Sequence, residues 1–251
     1  MKIYAEPLDV PLGDKHDRWS EKEYEAQRKH YDDVRFASEQ DYIRVGNRDF
    51  KKKIRLGELI CDFLKGSKIE GNVFCVGVGD AYTEIQLAQD GKKLLLTDFD
   101  TNTIEKYKKL FSESKELKFE RFDLLNDSFE GIAKDYPVVL STEVLYNFND
   151  NEVLDIIERI KRAGFRDLII ISATHVKMQN ALLRALKLFY VYFRMYVKRF
   201  NKCTKFYGYC RETYVYKRLL KKCGLSIDHV KEMDIDCCTI LYHVRLDATL
   251  G

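Results

Sequence analysis

Residues 73–100 read VFCVGVGDAYTEIQLAQDGKKLLLTDFD. An apolar run, Val73–Val78, contains Gly77 and is followed at once by Gly79, two residues on. A helical pattern follows over Tyr82–Gln89, then a second apolar run, Leu94–Thr97, which ends on Asp98. This is a strand, a tight turn, a helix and a second strand. Glycine suits the turn because a ligand can then approach the backbone with no Cβ in the way. The N-terminus of the following helix offers unpaired N–H groups to the same ligand. A pyrophosphate-binding GxGxxG loop would place its third glycine at residue 82, where this chain has Tyr82, and the GxxxxGK[ST] spacing is absent.

The same alternation continues outward. Strands are expected at Leu117–Phe122, Val138–Ser141 and Leu168–Ser172, with helices at Thr103–Phe111 and Asn151–Ala163. The strands are continuous apolar runs, as strands covered on both faces should be. Before them, Asn47 caps a helix whose buried side carries Phe50, Ile54, Cys61 and Phe63/Leu64, and Gly66 ends it. After residue 175 the pattern changes. A long helix spans about 178–200, a second covers Glu212–Cys223, and two strands, Ser226–Glu232 and Cys238–Arg245, follow with no helix between them. The expectation is an α/β fold: a Rossmann-like seven-stranded sheet, mostly parallel with an antiparallel last strand, helices on both faces. Residues 1–46 form an arm and a helix opened by the Ser20/Glu23 capping box, with His16 and His30 in a segment able to act as a lid over the ligand. The remaining 47–251 form one domain with a helical insertion at about 176–211.

At 251 residues, with 45% hydrophobic and 33% charged side chains, the chain has ordinary globular composition. Seven cysteines, scattered and without any CxxC pair, suit neither a disulfide framework nor a zinc site; they read as reduced thiols of a cytoplasmic protein. The N-terminal MKIYAEPLDVPLGDK lacks the apolar run of a secretory signal, and no charge-free stretch of 18 residues is present.

Beyond the glycine loop, three acidic segments carry the chemistry. Asp98 can accept hydrogen bonds from both hydroxyls of a ribose; Asp100, two residues on, can do the same or cap the next helix. In ERFDLLND (120–127), Asp123 can accept from an exocyclic amine or serve as a turn aspartate, with Phe122 or Leu124 beside a base. VFCVGVGD, LLLTDFD, RFDLL and VVLSTEVLYNF together resemble the class I S-adenosylmethionine-dependent methyltransferases in order and spacing, over about residues 47–246. The resemblance implies strand order 3-2-1-4-5-7-6 and S-adenosylmethionine as cofactor. It implies Gly77 and Gly79 beside the methionine part, Asp98 and Phe99 at the ribose, and Asp123 and Leu124 at the adenine. Ala81 stands where many members have a third glycine; by size, alanine is a small change.

STEVLYNF (141–148) resembles the ExxEH stretch of metal-binding subfamilies, but Tyr146 and Asn147 replace the second acid and the histidine, so no metal is expected. Glu143 remains as a substrate contact or a structural acid, and Tyr146 as a substrate contact. His175, after the fifth strand, is placed to deprotonate an acceptor hydroxyl, or to cap a helix. His229 and His243, in the last two strands, suit core or sheet-surface roles. KFYGYCRE (205–212) resembles the GYxR segment of some sugar- and lipid-modifying methyltransferases, which makes Tyr209 and Arg211 candidates for a polar or anionic acceptor group.

From Lys177 to Lys222 there are thirteen basic residues and one acid, Glu212, a net +12 that leaves −9 on the rest of a chain whose total is +3. The 178–200 helix carries Leu182, Leu186, Phe189, Phe193 and Phe200 on one face and the cations on the other. Three uses are open: a cap over the acceptor or a homodimer interface, a peripheral contact with anionic membrane, and, last, nucleic acid, for which no reader motif is present. The functional expectation is methyl transfer to a small-molecule acceptor, on an oxygen of a sugar or lipid-linked intermediate. The alternatives are an RNA methyltransferase and a non-catalytic nucleoside-binding or scaffold protein of the same fold.

Overall fold

The computed structural model describes residues 6–7, 48–79, 81–173, 189, 209–211, 213–233, 235 and 239–246. Seven strands form one sheet: β1 Val73–Val76, β2 Leu94–Asp98, β3 Leu117–Arg121, β4 Val138–Thr142, β5 Asp167–Ala173, β6 His229–Glu232 and β7 Thr239–Arg245. Their spatial order is 3-2-1-4-5-7-6. The first five are parallel, and β7 runs antiparallel to both β5 and β6. The helices are α1 Arg48–Gly66, α2 Tyr82–Gln89, α3 Thr101–Leu110, the single turn α4 Ile132–Asp135, α5 Asp150–Arg162 and α6 Thr213–Lys222.

The pleat sends alternate residues of each strand to opposite faces. Cys75, Leu96, Leu140 and Ile169 join one core layer with Ile60 and Leu64 of α1 and Ile104 of α3. Phe74, Val139, Ile170 and Tyr242 join the other, with Ile156 and Ile157 of α5 and Leu219 of α6. Every residue of β1 and β2 is therefore buried, which is why those strands read as unbroken apolar runs. The two edges differ. β3 buries only Phe119, and no residue of β6 is buried. Their Lys, Glu and Arg side chains discourage pairing with another chain.

The sequence pattern locates every one of these strands, with shifts of one to three residues at the ends. The sixth strand starts at His229, where pairing with His243 begins, rather than at Ser226. Three short features go beyond the pattern: α4, a 3₁₀ turn at Leu145–Asn147, and a parallel pairing of Glu6–Pro7 with Tyr209–Cys210. The Ser20 helix, the arm's histidines and the 178–200 helix lie outside the described residues, except Phe189, which is helical and exposed. Among the described residues no helix is long and apolar enough to cross a membrane.

Candidate functional site

Strand order 3-2-1-4 sets the carboxyl ends of β3, β2, β1 and β4 side by side, and the loops leaving them build the site. Gly77 and Gly79 both have positive φ, 62° and 54°. They differ in surroundings. A Cβ on Gly77 would lie 2.7 Å from Val144 Cγ2, so Gly77 is needed for packing against the β4 loop. A Cβ on Gly79 would meet none of the described residues within 4 Å. Among the described residues Gly79 thus opens onto space, the property a ligand-facing glycine requires.

Asp98, buried at the end of β2, faces that space. One carboxylate oxygen accepts from the Gly79 N–H at 3.1 Å and the other from the Asp100 N–H at 3.0 Å. Asp100 is the cap: its carboxylate accepts from the N–H groups of Asn102 and Thr103 and opens α3. The two acids, interchangeable in the sequence, therefore have separate duties. Phe99 between them keeps 48% of its surface exposed. Ala81 revises an expectation. It is the N-cap of α2 at φ 56°, so what it lacks relative to glycine is conformational freedom, not room. A non-glycine residue there costs about 1–2 kcal/mol.

Asp123 closes the turn after β3. It accepts from the Leu125 N–H at 2.9 Å and from Asn126 Nδ2 at 2.8 Å. Burial pushes its pKa up, but these hydrogen bonds and the Arg121 charge outweigh it and hold the carboxyl below its usual value. Asp123 is thus an ionised acceptor at neutral pH, and the turn-aspartate role is real. Leu124 corrects the sequence expectation: its side chain is buried in the α5-side core, so it packs the fold beneath the loop. Sequence reasoning missed the residue that holds this loop. Arg159 of α5 donates to the carbonyls of Leu124 (2.8 Å), Leu125 (2.9 Å) and Asp127, with its guanidinium 5.1 Å from the Phe129 ring centre. At helical spacing its neighbours include Asp155, to which it also donates at 3.5 Å, and Arg162, so no sequence signal sets it apart from a surface arginine.

The loop after β4 supplies the fourth wall. Glu143 is exposed with φ 54°, a left-handed conformation that disfavours any non-glycine residue, and its N–H donates to the Ile171 carbonyl at 2.8 Å. Strain of this kind persists where the surroundings enforce it, often at functional sites. Val144 and Leu145 are buried, Tyr146 is half-buried, and Asn147 donates its amide to the Val144 carbonyl at 3.0 Å, closing the turn. Thr142 adds a residue the sequence did not flag: its Oγ1 is buried with no hydrogen-bond partner among the described residues.

Arg211 overturns its expected role. Its side chain is fully buried. It donates to Asp150 at 3.0 Å, to the Leu145 carbonyl at 2.8 Å and to the Phe148 carbonyl. A guanidinium enclosed by the protein's own acceptors cannot bind an acceptor's anionic group. Only the backbone of Tyr209 is described, paired with Glu6. His175 lies outside the described residues. His243, a core residue as expected, bonds Asp167 at 2.9 Å at the opposite end of the sheet, and the exposed His229 stacks on it.

A seven-stranded sheet in order 3-2-1-4-5-7-6 with an antiparallel β7 is the class I methyltransferase fold. The solved structures similar to this chain include magnesium protoporphyrin IX methyltransferase from Synechocystis with bound SAH, 18% identical over 90% of this chain and 96% of that one, TM-score 0.56. They include the mitomycin 7-O-methyltransferase MmcR, 15% identical over 94% of this chain and 69% of that one, TM-score 0.58. A pericyclic reaction enzyme is also similar, at 12% identity over 71% of this chain and 43% of that one, TM-score 0.52. At these identities the likeness is one of fold. No family model and no curated protein matches the sequence.

Proposed function

We propose that this protein is an S-adenosylmethionine-dependent methyltransferase acting on a small-molecule acceptor. One observation carries the reading: the buried Asp98 carboxylate braces Gly79, whose missing Cβ would meet none of the described residues, at the carboxyl ends of adjacent strands. Three local features suit an adenosyl ligand. Asp98 can accept from ribose hydroxyls while holding its loop, since a carboxylate accepts about four hydrogen bonds. Asp123, ionised, can accept from the adenine amine. The buried Thr142 hydroxyl can bond the ligand's polar end.

The cofactor, when bound, supplies an activated methyl group on its sulfonium. The protein's work is then alignment. Gly77, fitted against Val144, fixes the course of the loop. Glu143, at the mouth, orients the acceptor or takes its proton, and His175 after β5 is the second candidate for that proton. The acceptor remains, in our reading, an oxygen on a sugar or lipid-linked intermediate. The burial of Arg211 removes one support for an anionic acceptor, leaving the basic 178–200 segment as the remaining one.

Native mass spectrometry of purified protein tests the cofactor: co-purified S-adenosylmethionine or S-adenosylhomocysteine is expected. The fold also hosts a pericyclic reaction enzyme, and fold alone does not select a reaction. Turnover therefore needs its own assay, release of S-adenosylhomocysteine in the presence of candidate acceptors. Stoichiometric binding with no turnover on any acceptor class would favour the non-catalytic reading.

A further inference from the structure

Arg211 is a fully buried cation that no step above uses. Three of its bonds end on one short stretch: the carbonyls of Leu145 and Phe148, and Asp150 in the first turn of α5. A 3₁₀ turn between a strand and a helix leaves carbonyls without helical partners, and buried carbonyls must find donors. A planar guanidinium meets several acceptors at fixed angles, which a lysine cannot do. Asp150 is held from a second side by Arg218 of α6 at 3.2 Å. The stretch so held begins at Val144, the residue that lies where a Gly77 Cβ would be.

The contacts therefore run from Arg211, ahead of α6, through the 145–148 turn to Val144, and from Val144 to the glycine loop. We infer that Arg211 is a positioning residue, which sets the Glu143–Phe148 turn against the glycine loop and so shapes the pocket for the methionine end of the cofactor. The inference rests on the cofactor reading proposed above. Unlike an ordinary core brace, Arg211 when lost must alter binding in protein that is still folded.

Calorimetry with S-adenosylhomocysteine, on the full chain and below each variant's unfolding temperature, makes the test. Arg211→Met is expected to weaken binding by about tenfold or more. Arg211→Lys, keeping the charge without the fork, should recover part of it. Leu219→Ala, at a buried α6 residue that makes none of the turn's hydrogen bonds, is the stability control; it should lower the unfolding temperature and keep the affinity within about twofold. If Arg211→Met does not fold, Arg211→Lys against Leu219→Ala decides. Wild-type affinity in the Arg211 variants, or an equal loss in Leu219→Ala, overturns the inference while leaving the cofactor reading intact. Failure of the wild-type protein to bind overturns both.

Discussion

Asp98 and Asp100 are two residues apart, and the structure divides their work in a way that mutants can read. Asp98→Ala removes a buried carboxylate from Gly79 and from the expected ribose. It should weaken S-adenosylmethionine binding by about 10–150-fold, the equivalent of 1.5–3 kcal/mol. Asp100→Ala removes a helix cap. It should cost about 1 kcal/mol of stability and leave affinity close to wild type. Calorimetry beside urea denaturation separates the two; a larger affinity loss for Asp100→Ala would reverse the assignment. The glycines make a similar pair. Gly77→Ala meets Val144 as well as the φ penalty, whereas Gly79→Ala meets only the penalty. Gly77→Ala should therefore lose more stability, and Gly79→Ala should lose ligand affinity with the smaller loss of stability. The buried thiols offer a third check. Burial pushes Cys61 up to about 11, and Cys75 and Cys223 are raised as well, burial again the main cause. At pH 8 they should resist a thiol reagent until the protein unfolds. Rapid labelling of any of these three in folded protein, located by peptide mapping, would contradict their burial.

At the scale of elements, the sequence was legible wherever burial imposed a period. β1, β2, β4 and β5 read as apolar runs because both faces are covered, and α2 emerged with its observed bounds. What stayed hidden is set by contacts between distant segments. Arg211 read as a candidate for an anionic acceptor group because three of its own acceptors lie about 60 residues earlier in the chain. Arg159 drew no reading from the sequence, although it satisfies three carbonyls of the Asp123 turn. Leu124 sits three residues after the end of β3, where no periodicity tells core from ligand. The αL backbone of Ala81 and Glu143 has no sequence signature outside glycine. Arg159 gives the prediction for this scale. Arg159→Met strands those carbonyls and should cost about 2–4 kcal/mol. Because the turn it holds carries Asp123, S-adenosylhomocysteine affinity should fall as well. Unchanged affinity in the destabilised variant would take the Asp123 turn out of the site.

For the whole molecule, the site occupies one end of the sheet and a buried, hydrogen-bonded carboxylate the other. Asp167, the first residue of β5, bonds His243 at 2.9 Å and Arg166 at 2.8 Å. Burial alone would push its pKa up, but the hydrogen bonds from His243 and Arg166 hold it below the usual 3.8. A carboxyl depressed by folding contributes stability that is complete well above pH 3.8 and lost as pH falls through its lower folded value. Wild-type stability should therefore drop steeply below about pH 4. Asp167→Asn should be less stable at pH 7 by about 1–3 kcal/mol and fall less steeply in that window. Parallel profiles would contradict the pair's role. The site at the opposite end should be unaffected by this substitution, since its contacts are made by loops leaving other strand termini. Whether those loops hold an adenosyl ligand is the central claim, and one titration decides it. Wild-type protein in a calorimeter should bind S-adenosylhomocysteine saturably at one site per chain and show no heat with NAD. Binding of NAD, or no binding of S-adenosylhomocysteine or S-adenosylmethionine by folded protein, would contradict the account.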